Sequence, residues 1–115
     1  MANNIVILQN DPTRAKNLMA RVGAVSEGVF SVQSLAELRK LASTSSIRVI
    51  VLDLDGVTFP EVARLREQLG IEIVCTHHAP DDVMWTEALA AGAFDCCCDE
   101  DVPSICRAIR QSMAA

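Results

Sequence analysis

No apolar run in the 115-residue sequence approaches the eighteen or so residues of a membrane span, which excludes a helical membrane anchor among them. The opening MANNIVILQND lacks the basic and apolar regions of a signal peptide, so a cytoplasmic location is expected. Basic clusters are missing too. The ten Lys and Arg residues are scattered, and against fifteen Asp and Glu they leave a net charge of −5, which argues against a nucleic-acid footprint. No CxxC spacing, repeat, low-complexity tract or linker occurs. The five cysteines are odd in number and three are consecutive, which does not suit a disulfide framework, so reduced thiols are expected. With half of its residues apolar, a chain of this length buries one core, and residues 1–115 are expected to form a single domain.

What is present is organised around Arg48–Phe59, RVIVLDLDGVTF. Four consecutive apolar residues, Val49 to Leu52, are too few for a helix and too continuous for a half-exposed strand, so they predict a central strand buried on both faces. Asp53 and Asp55 follow where the strand ends, and Gly56 permits a sharp turn. Two carboxylates are thereby placed at the carboxyl edge of a parallel sheet, where open α/β sheets hold their sites.

The rest of the chain alternates. Asn4–Leu8 predicts a strand and Pro12 opens a helix over Thr13–Val22, closed by Gly23. Val29–Val32 is a second strand; Ser34 caps a helix with Leu35, Leu38 and Leu41 at helical spacing, up to a loop at Ser43–Ser46. Beyond Pro60, Glu61–Leu69 forms a helix ended by Gly70, and Ile71–Thr76 is the fourth strand. His77–Pro80 is read as a loop, with Asp81 or Asp82 capping a helix through Trp85 and Leu89 to Gly92. Ala93–Cys98 is the fifth strand, and Val102–Met113 the last helix, with Val102, Ile105, Cys106 and Ile109 as its buried stripe. Five strand–helix units with short connections imply a doubly wound parallel sheet covered on both faces.

This order, together with Asp53 after the third strand, Thr76 closing the fourth and Ala91-Gly92-Ala93 before the fifth, resembles the receiver domains of two-component response regulators. The resemblance spans the chain and implies the flavodoxin-like strand order 2-1-3-4-5. It implies that Asp53 stands at the phosphoacceptor position, that Thr76 is the hydroxyl residue contacting the phosphoryl group, and that the carbonyl of Asp55 is a metal ligand. Any Mg²⁺ would then be held by Asn10, Asp53 and Asp55. A protein partner or an attached output or kinase domain is implied as well, and a regulatory module rather than an enzyme.

Other pocket positions depart from that pattern. The family's paired acids after the first strand fall on Gln9 and Asn10, with Asp11 next, and amides in place of carboxylates weaken a Mg²⁺ site. The family's Lys after the fifth strand falls on Asp99. Two carboxylates about 5 Å apart at an effective dielectric near 20 repel by roughly 3 kcal/mol, which disfavours adding a phosphoryl charge. The aromatic switch position falls on Cys96, which has no ring, and His77 stands near the pocket mouth where the family usually has a small residue. The reading is therefore an atypical receiver that signals by protein contact without cofactor or phosphorylation. The alternative is an active receiver that uses Mg²⁺ and takes a phosphoryl group on Asp53.

Two further readings are weaker. VLDLDGV is similar to the first motif of haloacid-dehalogenase-type phosphatases, but no Lys follows residue 53 to pair with the nucleophile. Cys75 on the fourth strand, with His77 and His78 in the loop after it, approaches Cys96, Cys97 and Cys98 on the neighbouring fifth strand and suggests a thiol or metal sensor; strand alternation, however, sends Cys97 to the face opposite Cys96 and Cys98. In the receiver family the fourth helix, fifth strand and fifth helix form a dimer and partner face. Here the resemblance puts Trp85, Arg107 and Arg110 on it.

Overall fold

The computed structural model describes residues 4–24, 26 and 28–114. Its elements are β1 Asn4–Leu8, α1 Pro12–Gly23, β2 Val29–Val32, α2 Leu35–Thr44, β3 Ile47–Asp53, α3 Phe59–Leu69, β4 Glu72–His77, α4 Asp82–Ala90, β5 Asp95–Cys98 and α5 Val102–Ala114. All strand pairs are parallel, and the sheet order is β2-β1-β3-β4-β5.

Alternation along β3 distributes the core. Val49 and Val51 pack with Ile5, Ile7, Val74 and Cys97 under α1 and α5, where Leu18, Val22, Ile105 and Ile109 close that layer. Ile50 and Leu52 point the other way, joining Val6, Leu8, Ile73, Cys75 and Cys96 beneath Leu38 of α2, Val62 and Leu65 of α3 and Ala88 of α4. A strand apolar at consecutive positions is stable only between two such layers. Among the described residues no helix is long and apolar enough to cross a membrane.

Several element ends differ from the sequence expectation, each for a local reason. Gly23 is the last helical residue of α1 and Ala24 is the cap. Ser43 and Thr44 belong to α2 rather than to a loop: their hydroxyls donate to the carbonyls of Lys40 and Leu41, which satisfies the helix end. α3 starts at Phe59, because Thr58 and Glu61 form a reciprocal capping box. His77 is the last residue of β4, held by the bond from Asp99 N to its carbonyl, 3.0 Å. β5 begins at Asp95 rather than Ala93, and in α5 the buried stripe includes Ala108 and Ser112, while Cys106 is partly exposed.

Candidate functional site

The carboxyl ends of β1, β3, β4 and the loop after β5 gather the predicted pocket residues. Asp53 and Thr76 are register partners on β3 and β4, so their side chains emerge together, and Thr76 Oγ1 donates to Asp53 Oδ1 at 3.0 Å. Asp53 is 6% exposed and therefore belongs to the strand and the core edge, not to a solvated loop. Burial pushes its carboxyl above the ordinary range; the Thr76 hydrogen bond opposes this and the charge of Asp99 adds to it.

That shift fixes a sign. The folded chain holds the Asp53 proton more tightly than the unfolded one, so Asp53's contribution is most favourable below the unfolded value and is lost as pH rises through the folded pKa. Asp53→Asn is accordingly expected to melt higher than the parent at about pH 7 and level with it near about pH 3. Thermal melts at the two pH values check this; a variant that melts lower at neutral pH contradicts it.

Asp99 is 4% exposed, and its Oδ2 accepts from Arg14 Nη1 at 3.0 Å. Arg14 comes from α1, eighty-five residues earlier, and also lies 3.8 Å from the exposed Glu100. Nothing in the spacing of α1 marks it: a basic residue mostly off the apolar stripe reads as surface, and its bond to Asp99 on the loop after β5 is not visible in the sequence. The other oxygen of Asp99, Oδ1, has no partner among the described residues, nor does Nε2 of the buried Gln9. Gln9 Oε1 accepts from Asp11 N at 3.0 Å.

The expected metal ligands do not converge as oxygens. Asn10 turns its amide nitrogen, not its oxygen, toward the carbonyl of Asp55, donating at 3.1 Å. One lone pair of that carbonyl is taken by the donor, and Asn10 presents nitrogen rather than oxygen beside it. Asp11 is committed to capping α1, where its Oδ1 accepts from Thr13 N and Arg14 N at 2.9 and 3.0 Å, and the Asp55 side chain is exposed. Gly56 makes the turn at φ +92, and a Cβ there would stand 3.4 Å from Asn10 Nδ2. With one buried carboxylate and two amides, this donor set does not fit the octahedral oxygen shell of Mg²⁺. Among the described residues no group of three His, Cys, Asp or Glu side chains is placed to hold a metal ion.

The remaining candidates lie around this edge. His77 follows Thr76 at the end of β4, its Nδ1 accepting from Ala79 N at 3.1 Å and its ring tilted at 32° to that of His78, with centroids 4.1 Å apart. Cys96 and Cys97 face opposite layers, and burial pushes the thiols of Cys75, Cys96 and Cys97 up to about 12, 11 and 12. Such thiols are packing residues at neutral pH. Cys98 is partly exposed, its Sγ 3.7 Å from the carbonyl of His78. Beside Cys96 a hollow of about 400 Å³ is lined by Pro80, Asp81, Asp82 and Trp85. Trp85 is 46% exposed and donates from Nε1 to Asp95 Oδ1 at 3.1 Å, so it is not a core residue. Arg107 and Arg110 are exposed on α5.

No protein-family model matches the chain, and no curated protein matches it in sequence. Solved structures match it closely in shape. A response regulator from Thermotoga maritima superposes with a TM-score of 0.90 over all of both chains at 10% identity. An orphan response regulator of H. pylori gives 0.84 over 96% of each chain at 12% identity. An atypical orphan response regulator, described as having a phosphorylation-independent regulatory mechanism, gives 0.85 over 96% of this chain and 95% of its own, also at 12%. The chain has the receiver fold.

Proposed function

We propose that this chain, folded as a receiver domain, is a regulatory module of two-component-type signalling that works through protein contact, without metal binding or phosphorylation at Asp53. The observation that carries the reading is Asp99. A buried carboxylate occupies the position where the family pattern has a Lys, its charge bears on Asp53, and the cation of the neighbourhood, Arg14, is bound to Asp99 rather than to Asp53. A phosphoryl group on Asp53 would add a second negative charge beside Asp99 with no metal to offset it. Support also comes from the atypical orphan regulator of the same fold, whose regulation is described as phosphorylation-independent.

Exposure to acetyl phosphate or beryllofluoride with about 10 mM Mg²⁺ is expected to leave intact mass and amide NMR spectra unchanged. An adduct on Asp53, or amide shifts confined to residues around Asp53 and Thr76, would instead establish the active receiver.

The contact surface of this reading is the face of α4, β5 and α5, with Trp85 as its apolar anchor and Arg107 and Arg110 as its charged rim. Because Trp85 is already half in solvent, Trp85→Ala is expected to cost no more than about 1 kcal/mol of stability while weakening binding of a separate partner protein at this face about tenfold or more. Urea denaturation reads the first, and sedimentation of the variant mixed with that partner reads the second. A loss of several kcal/mol with association unchanged removes Trp85 from the surface.

A further inference from the structure

The sheet has two edges, and they are treated differently. At the β5 edge Asp95 is drawn in by Cys96 N and Trp85 Nε1, a charge at the strand that discourages pairing. β2, at the opposite edge, reads Val29-Phe30-Ser31-Val32, with neither charge nor proline, and among the described residues no strand pairs with its outer side. Phe30 shares a register position with Val6, so it lies on the face covered by α2, yet it is 38% exposed. It forms one wall of a groove of about 370 Å³ shared with Val32, Leu41, Glu37, Lys40 and Thr44.

We infer that β2 is the docking edge for a second copy of this chain, joined β2 to β2 in antiparallel fashion about a two-fold axis perpendicular to the sheet. Three features select a second copy as the occupant. First, the pleat is self-complementary: registers that differ by two residues keep one face continuous, and the one centred on Ser31 sets Phe30 opposite Val32 of the second copy and Ser31 opposite its own counterpart. Second, the spacing closes. Paired strands stand about 4.8 Å apart, and because α2 packs over both β2 and β1, the two α2 axes come to about 10 Å from each other, a separation at which helices pack. Third, the rim is charged with both signs, one turn apart on α2. The two helices run antiparallel, so Glu37 of each copy meets Lys40 of the other. Glu37 bonds Gln33 N through Oε2, and among the described residues Lys40 forms no ion pair. Phe30 of each copy is then covered by the second copy's α2. The inference is independent of whether Asp53 is phosphorylated.

Sedimentation of the full chain from about 1 µM to about 1 mM is expected to give a reversible monomer–dimer equilibrium. Phe30→Lys, which adds a charge to an already exposed edge position, should raise the dissociation constant at least tenfold with the circular dichroism unchanged. Lys40→Glu should weaken the dimer about tenfold, and Glu37→Lys combined with Lys40→Glu should return it to about threefold of the parent, because the two-fold axis exchanges the partners. That reciprocal rescue holds the test open if Phe30→Lys fails to fold. A chain that stays monomeric to about 1 mM, as expected if a segment of another protein is the true occupant, overturns the proposal. So does a dimer that tolerates both single charge changes, or one abolished by Trp85→Ala.

Discussion

Replacing Arg14 with alanine is expected to lower folding stability by about 2–3 kcal/mol. The loss follows from what remains. Asp99 stays buried at the head of α5, one carboxylate oxygen already lacks a partner, and removal of the guanidinium strands the other. Breaking a fully buried ion pair typically costs about 3–5 kcal/mol, and the lower value here reflects the Arg14 side chain, 39% of which is open to solvent. A second substitution separates charge from packing. Asp99→Asn in the Arg14→Ala background removes the stranded charge and should restore stability to within about 1 kcal/mol of the parent. If the double variant stays as weak as Arg14→Ala alone, the loss belongs to the arginine stem packed over the pocket and not to the charge it neutralises.

An even larger loss, about 3–4 kcal/mol, is expected for Ile105→Ala. Ile105 has no exposed surface and stands in the layer where α5 packs over β3, β4 and β5, among Val49, Val51, Val74 and Cys97. Alanine is an excellent helix former, so α5 itself is not weakened; the cost is the lost apolar contact and the cavity left between a helix and strands that cannot close on it. In a domain whose total stability is of the order of 5–15 kcal/mol, urea denaturation should show a clear fall in midpoint with the slope preserved. A loss under about 1 kcal/mol would mean that α5 repacks and that this layer is less rigid than its burial implies.

Much of this was legible in the residues. Val49 to Leu52 identified a strand covered on both sides, because a run of that length has only one stable setting, and the alternation of strands with short-looped helices then left the parallel sheet. The opposite facing of Cys96 and Cys97 followed from the pleat alone. The capping box at Thr58 and Glu61 is equally local, spelled by a Thr and a Glu three residues apart. Other features were not available from sequence. Ser43 and Thr44 look like loop residues until their hydroxyls are seen bonding back into α2, and His77 is a strand residue only because a bond from Asp99 N extends β4. The bond between Arg14 and Asp99 joins positions eighty-five apart, and no periodicity of α1 reports it. For the same reason the orientation of Asn10 was out of reach: the residue type is visible in the sequence, whereas the end of its amide that faces Asp55 is a property of the assembled loops.

The placement of β1 between β2 and β3 has a consequence for how such a site changes over time. After β1 the chain leaves toward the layer of α1, and after β3 it leaves toward the layer of α3, so the two neighbouring strands part to opposite sides at their carboxyl ends. The cleft this opens is created by the winding of the chain, not by the side chains that line it. Asn10 bridges it to the carbonyl of Asp55, and Arg14 crosses above it to Asp99. A lineage can therefore exchange acids for amides and a cation for an anion at its floor while the hydrophobic layers that hold the strands remain untouched. The winding keeps a cleft at this place whichever side chains line its floor, on a scaffold that does not depend on them.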